Sequence, residues 1–409
     1  MKKIVYSVVL ISSLIYTSTA QVRTPAQQLI LTNEDSLNAG ISKAKTVLSG
    51  YGSAFYQRNS NEKTASLNLE RAVLFVGHQF NSKISFFSEL EVEDAKVDDK
   101  GGEIALEQAF LKFNLSSTKY ITAGLFLPRI GLLNENHLPV NFNGVERPVV
   151  EQLVIPSTWR ELGIGFYGRS KKLPLNYSAA IFNGLNSAAF EHGSGIRAGR
   201  FEGRKATANN LALTAALQYY HKDFTFQVSG YAGGSNGLNK RRSDSLQLGS
   251  GIFGMPLYLG EADVRWSKNG WNAKVLGAYI SFPDATNINK SFTNNISNTM
   301  YGAYAEIAYN LFEKNTKMAN QQLNAFARFE TLNLNASIPT NAVYDGTEKQ
   351  QHIIIGFAYL PIPNVVIKAD VRLLHTGAEN PNLVINPSPV GIPYQQNNSF
   401  INLGIGYSF

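Results

Sequence analysis

Ser399-Phe400-Ile401-Asn402-Leu403-Gly404-Ile405-Gly406-Tyr407-Ser408-Phe409 closes the chain, and its period decides the fold. Counting back from Phe409, every second residue (Tyr407, Ile405, Leu403, Ile401) is large and apolar, while Ser408, Gly406, Gly404 and Asn402 between them are small or polar. Side chains alternate across a strand, so this stretch has one greasy face and one face suited to water or packed protein. Two architectures use such a strand: a barrel in a membrane and the edge of a soluble sandwich.

The start of the chain separates them. Met1-Lys2-Lys3, an apolar run from Ile4 to Tyr16 and Ser18-Thr19-Ala20 read as a secretory leader over residues 1–20, cut before Gln21. No later stretch approaches the ~18 consecutive apolar residues of a spanning helix. Yet 44% of residues are hydrophobic, with 19 Tyr and 24 Phe, and apolar content that high distributed as alternation suits a barrel wall. The chain has no cysteine, which excludes disulfides, thiol catalysis and cysteine-bound metal. Its net charge is +7, or +5 once Lys2 and Lys3 leave with the leader, a modest excess compatible with anions. Without a basic helix or a dense basic run, nucleic acid is not an expected partner.

Residues 21–45 lack alternation and read as a short periplasmic segment, in which Asn33 caps a brief helix carrying Leu37, Ile41 and Ala44. From 46 to 409 one unit repeats: an alternating stretch, a tight polar turn, another alternating stretch and a longer loop. Turns fall at Asn81-Ser82-Lys83, Ser116-Ser117-Thr118, Lys171-Lys172, His221-Lys222-Asp223, Lys268-Asn269-Gly270 and Pro361-Ile362-Pro363. The unit predicts an all-β, transmembrane antiparallel β-barrel of about sixteen strands, with short periplasmic turns alternating strictly with long extracellular loops. Trp266, Trp271, Tyr219, Tyr220, Phe224 and Tyr359 stand beside the short turns, where an interfacial aromatic girdle belongs.

Charges on the face opposite the apolar one are candidate pore-lining groups. Glu89, Glu91 and Glu93 interleave with Leu90 and Val92, so they are expected to line water. Lys112, Arg265, Arg328, Lys368 and Arg372 are read the same way, with pairs expected between Arg265 and Asp263, Arg328 and Glu330, and Lys368 and Arg372 with Asp370. About sixteen strands enclose more space than side chains fill, so a loop is expected to narrow the bore. Residues 128–158 are the candidate: they lack strand alternation, and carry Arg129, Glu135, His137, Glu146, Arg147 and Glu151 among apolar Leu132, Leu133, Leu138, Val140 and Phe142, with Arg160 close by. Arg129, Arg147, Arg160, Glu135 and Glu146 are the expected constriction residues.

At this loop the chain resembles a known family. Gly124-Leu125-Phe126-Leu127-Pro128-Arg129-Ile130-Gly131-Leu132 is similar to the Gly-x-Phe-x-x-Pro-Phe-Gly-Leu type of stretch in phosphate-selective porins of the O and P type. Glu107-Gln108-Ala109-Phe110-Leu111, Glu146-Arg147-Pro148, Arg160-Glu161-Leu162-Gly163-Ile164, Ile181-Phe182-Asn183-Gly184, Ala327-Arg328-Phe329-Glu330 and Ile367-Lys368-Ala369-Asp370 resemble further landmarks. The resemblance implies a sixteen-stranded passive diffusion porin, commonly trimeric, in the lipid of the bacterial outer membrane. It also implies that the terminal aromatic, Phe409, is the signal read by the barrel-assembly machinery. One departure stands out: phosphate-selective members carry a basic ladder with lysines in the constriction loop, whereas 128–158 contains no lysine. The mixed lining points to small polar solutes generally, anions such as phosphate being one class.

Catalysis finds no support. His78, His137, His192, His221, His352 and His375 show neither His-x-His nor His-Glu-x-x-His spacing and no serine partner on a shared face. No metal or cofactor is expected: the Glu89, Glu91, Glu93 row reads as a solvated stripe ahead of a weak calcium site, and Gly230 to Gly237 as a strand end and loop. A transporter of hydrophobic compounds and an outer-membrane hydrolase are the alternatives to a porin.

Overall fold

A computed structural model describes residues 23–31, 45–98, 101–383 and 394–409. The expected leader and the Asn33-capped helix lie outside these residues. Sixteen strands form one closed antiparallel barrel. They are β1 (Thr46–Asn59), β2 (Thr64–Gln79), β3 (Ile84–Asp98), β4 (Gly101–Ser116), β5 (Lys119–Phe126), β6 (Glu161–Arg169), β7 (Leu175–Asn183) and β8 (Leu211–His221). The other half is β9 (Phe224–Gly234), β10 (Pro256–Lys268), β11 (Trp271–Ser281), β12 (Thr299–Asn310), β13 (Gln322–Ser337), β14 (Lys349–Ile362), β15 (Val365–Thr376) and β16 (Asn397–Ser408). Each strand pairs with its sequence neighbours, and β16 returns to β1, with Ala54 opposite Ile405 and Tyr56 opposite Leu403. Closure leaves no edge, which a sheet in hydrocarbon requires.

The terminal alternation holds in space. Ile401, Leu403, Ile405 and Tyr407 are exposed on the outer wall, while Asn402 and Ser408 are buried inside. Ile353, Ile355, Phe357, Ile367, Val371 and Leu373 continue the outer apolar surface on β14 and β15. Each such side chain gains roughly 1.5–3 kcal/mol on leaving water, so this surface belongs against acyl chains. No helix among the described residues is long and apolar enough to cross a membrane. Beside the tight turns Phe224 meets Trp266 and Trp271 meets Tyr309, forming part of the girdle. Asn269 and Gly270 both have positive φ, 50° and 80°, the backbone of a two-residue hairpin turn that Asn-Gly favours.

One expectation needs correction. Loop lengths do not alternate strictly: the outer connection 60–63 is as short as the turns, and 311–321 on the turn side is long. The first four strands are long instead, so the hairpins extend by pairing. Part of the N-terminal segment lies against the barrel. Helix α1 (Pro25–Leu31) packs on β1, β2 and β3, with Ala26 donating its N–H to the inward Ser49 hydroxyl at 3.3 Å. Buried Ala26 touches the same cluster as Tyr51, Val73 and Phe75, so α1 occupies the periplasmic end of the bore.

Candidate functional site

Loop 127–160 joins β5 to β6 and folds inside the barrel. Its apolar residues Ile130, Leu132, Val150, Val154, Ile155 and Trp159 pack on inward Tyr231, Leu257, Leu259, Leu276, Met300 and Tyr304. Backbone groups left without secondary structure bond to the wall, as buried polar groups must. Val145 N–H donates to Asp370 Oδ2 at 2.6 Å, Val150 N–H to Glu330 Oε2 at 3.1 Å, and Lys368 Nζ to Gly144 O at 2.8 Å. Gly144 fits because a Cβ there would stand 3.1 Å from both terminal nitrogens of the Arg328 guanidinium. The short helix α2 (Val150–Leu153) places Glu151 at the loop's centre, accepting from Tyr304 Oη at 2.6 Å and from the Leu132 and Leu133 amides at 2.8 and 2.7 Å. Burial raises the Glu151 carboxyl above its ordinary pKa, and these donors work in the other direction.

On the side of β1–β5 the loop lands on a charged cluster whose main members alternation does not reveal. His137 Nδ1 lies 3.0 Å from Asn134 O, and Nε2 lies 3.3 Å from Glu89 Oε1 and 3.4 Å from Glu107 Oε2. Both ring nitrogens face acceptors, so both donate and the ring is cationic. Burial alone would lower the His137 pKa, but hydrogen bonds and charge from Glu107 and Glu89 raise it to about 9. Arg71 Nη1 meets Glu91 at 3.1 Å, and Arg160 Nη1 meets Glu107 at 3.6 Å. Three carboxylates, Glu89, Glu91 and Glu107, thus face three cations, Arg71, Arg160 and His137. A divalent ion would have to displace the imidazolium, so this trio of Glu89, Glu107 and His137 is an ion-pair latch.

Backbone bulges explain why these residues meet. Glu89 pairs with Gln108 but Leu90 with Leu106, leaving Glu107 as an extra residue turned inward beside Gln108. A second irregularity, between Ser53 and Phe55, faces Asn68 to Arg71, where Glu70 accepts from Ser53 and Arg71 points inward. A strict period of two puts Glu107 on the lipid face. Arg71 carried no sequence signal, and His137 could be found only as a histidine in the candidate loop.

The remaining expected lumen charges face inward, but fewer of them meet water than expected. Glu89, Glu91, Lys112, Arg328 and Lys368 are buried beneath the loop or against rings, and of the glutamate row only Glu93 is substantially exposed. Lys112 Nζ sits 4.4 Å over the Tyr120 ring, and Lys368 Nζ sits 3.6 Å over Phe142. Arg328 spans Glu306 and Glu330 at 3.3 and 2.8 Å, and Arg265 meets Asp263 at 3.0 Å, as expected. Asp370 does not pair with Lys368 or Arg372; it accepts from Val145 and from Asn402, while Arg372 meets Glu146 at 3.0 Å. The physical reason is the loop: its amides and carbonyls take partners that a bare wall would share across strands.

The expected constriction residues divide similarly. Arg129 is buried, with Nε 2.6 Å from Glu135 and its guanidinium over Tyr167 at 5.5 Å. Arg147 is buried yet makes no ion pair within 4.0 Å among the described residues, although Glu70 lies within its electrostatic range. Loop 184–210 adds two arginines that sequence reading missed. Arg197 Nη1 donates to Ser157 O at 2.7 Å, and Arg200 Nη1 donates to Pro156 O and Thr158 O at 3.3 Å, clamping the end of loop 127–160. Arg200 also meets Glu202 at 2.7 Å. Arg197 has no such partner among the described residues: burial, then the like charges of Arg200 and Arg147, lower it to about 10. Partly exposed Arg265, Lys274, Arg372 and Glu146 mark where water reaches the bore.

Comparison with known proteins agrees with this geometry. An uncharacterized protein of Aquifex aeolicus is 30% identical over 338 residues, covering 79% of this chain and 74% of its own length. The Salmonella typhi OmpF structure in complex with daunomycin has a TM-score of 0.55 at 12% identity, covering 89% of this chain and 97% of that one. The outer membrane channel DcaP of Acinetobacter baumannii has a TM-score of 0.53 at 12% identity, with the same coverage. An anion-selective porin from Comamonas acidovorans has a TM-score of 0.51 at 9% identity, covering 89% of this chain and 99% of that one. These likenesses concern the fold. The profile of the phosphate-selective porin O and P family matches residues 49–384, and the chain belongs to that family of outer-membrane porins.

Proposed function

We propose that this porin passes small hydrophilic solutes with a preference for anions, phosphate-like oxyanions among them, set where loops 127–160 and 184–210 meet. The observation that carries this is the crowding of Arg147, Arg197 and Arg200, in which Arg147 and Arg197 have no carboxylate partner among the described residues. An anion there relieves cation–cation repulsion and finds guanidinium donors suited to oxyanions. Arg160 belongs to the same rim, although Glu107 and Glu202 already share its charge. Arg129 and Glu135 hold the base of the loop in this reading and do not select. Catalysis has no part in it. An apolar route along Tyr51, Phe75, Phe87 and Phe110 is closed, since loop residue Leu138 and Ala26 of α1 pack into that cluster. Assembly as a homotrimer, and Phe409 as the signal for barrel assembly, complete the proposal.

The test is the zero-current potential of the reconstituted channel in a salt gradient. Wild type should prefer anions. Removing two of the three guanidinium charges takes away most of the local positive potential, so Arg147→Ala with Arg197→Ala should lower the preference by roughly threefold or more. Arg129→Ala should leave it unchanged. Folded protein that conducts no current, or an ion preference the double variant does not alter, overturns the assignment.

A further inference from the structure

We propose that His192, Asp345 and Glu348 form a binding site for a divalent transition-metal ion of the zinc class, which clips outer loop 184–210 to outer loop 338–348. The site goes beyond channel function and does not rest on it. His192 Nε2 lies 2.9 Å from Asp345 Oδ2 and 3.3 Å from Glu348 Oε1, and the candidate ligand atoms all lie within 4.8 Å of one another. Tetrahedral bonds of ~2.0–2.1 Å to nitrogen and oxygen place ligand atoms ~3.3 Å apart, so small adjustments suffice. An imidazole with two carboxylates favours zinc-like ions over calcium, which prefers oxygen alone.

Charge supplies the second argument. The Asp345 and Glu348 side chains are at least nine-tenths buried, and no lysine or arginine pairs with either among the described residues. The Glu348 carboxylate accepts no hydrogen bond from a described residue; its one polar approach is to the His192 ring. His192 differs from His137. Its Nδ1 faces the Asn295 side-chain amide at 3.5 Å, a donor, where the Nδ1 of His137 meets a backbone carbonyl. Two buried carboxylates thus share one imidazole, with no lysine or arginine within ion-pair distance among the described residues. A metal on Nε2 would shift the ring proton to Nδ1, and the 3.5 Å contact is too long to oppose it strongly.

The surroundings are ordered and open on one side. Asp345 Oδ1 accepts from Thr347 N–H at 3.0 Å, and its own N–H donates to Asn335 at 3.1 Å, which leaves Oδ2 for the metal. Asn295 bonds both the N–H and the C=O of Val343, at 2.8 and 2.9 Å, fixing the neighbouring loop. The His192 side chain is one-third exposed, giving an entry path and room for water as a fourth ligand.

Calorimetric titration of the full folded chain in detergent with zinc chloride tests the proposal. One saturable site is expected in wild type. His192→Ala and Glu348→Gln should each weaken it at least about tenfold, while His221→Ala on the turn side leaves it intact. Heat-dependent gel migration reports whether each variant has folded. Should either misfold, cobalt chloride added to wild type decides, because nitrogen and oxygen ligation in a four-coordinate site gives intense visible absorption. Absent zinc binding, a wild type without that cobalt spectrum, or folded variants that bind zinc as wild type does, overturns the site.

Discussion

The wall of β2, β3 and β4 and two less crowded places, the Arg265–Lys274 pair on β10 and β11 and the Arg147–Arg197 region of the two loops, both present charges inward, but they hold them differently. In the first, Glu89, Glu91 and Glu107 are buried and matched by Arg71, Arg160 and His137. Tyr51, Phe75, Phe87 and Phe110 stack beside them with ring centroids 5.5–5.6 Å apart. In the second, Arg265 and Lys274 keep partly exposed ends, and Arg147 and Arg197 have no carboxylate within ion-pair distance among the described residues. Facing the bore is thus a property of strand period, whereas meeting water depends on where a distant loop comes to rest.

The largest effect should come from removing the latch. His137→Ala leaves Glu89 and Glu107 buried without their shared cation, and breaking a buried pair from one side costs about 3–5 kcal/mol. Denaturant unfolding in lipid should show it, and an unchanged midpoint would make the two sides alike. A smaller effect is expected from pH. The groups facing His137 are Glu89, Glu107 and the Tyr51 ring, with Glu91 and Arg71 paired to each other and Arg160 paired to Glu107 in the same cluster. Its pKa rises on folding from an ordinary 6.5 to about 9, so the bound proton stabilises the fold fully below pH 6.5. That stabilisation falls away as pH rises through about 9. Wild-type unfolding measured between pH 6 and pH 10 should follow this loss, and His137→Ala should lack that component. The smallest effect belongs to the wet side. Lys274→Gln removes a partly exposed cation 3.6 Å from Glu306, which Arg328 still neutralises, so stability should move by no more than about 1 kcal/mol. A loss as large as that of His137→Ala would erase the contrast.

Much of the barrel was legible because period two is local. Ile401, Leu403, Ile405 and Tyr407 face outward, Asn269-Gly270 turns as its residues require, and the apolar residues of 128–158 point to an inward fold. The latch was not legible, for a specific reason. Glu107 is reoriented by a one-residue bulge that alternation assigns to the wrong face. His137, Arg71 and Glu89 come together only after the loop has crossed the bore. The same applies to Arg197 and Arg200, which belong to another loop and act by gripping carbonyls near residue 157. Asp370 shows the converse: its cross-strand neighbours were visible, but the Val145 amide that takes its carboxylate was not.

The contrast between a filled wall and a wet passage can be measured with single cysteines, since the chain contains none. Thr122 is buried on the inner face of β5 beside Lys112, and Arg197 is partly exposed at the meeting of the two loops. A negatively charged thiosulfonate added to the open reconstituted channel should lower the current in steps for Arg197→Cys and leave Thr122→Cys unaltered. Equal modification of both, or modification of Thr122→Cys alone, would contradict the account.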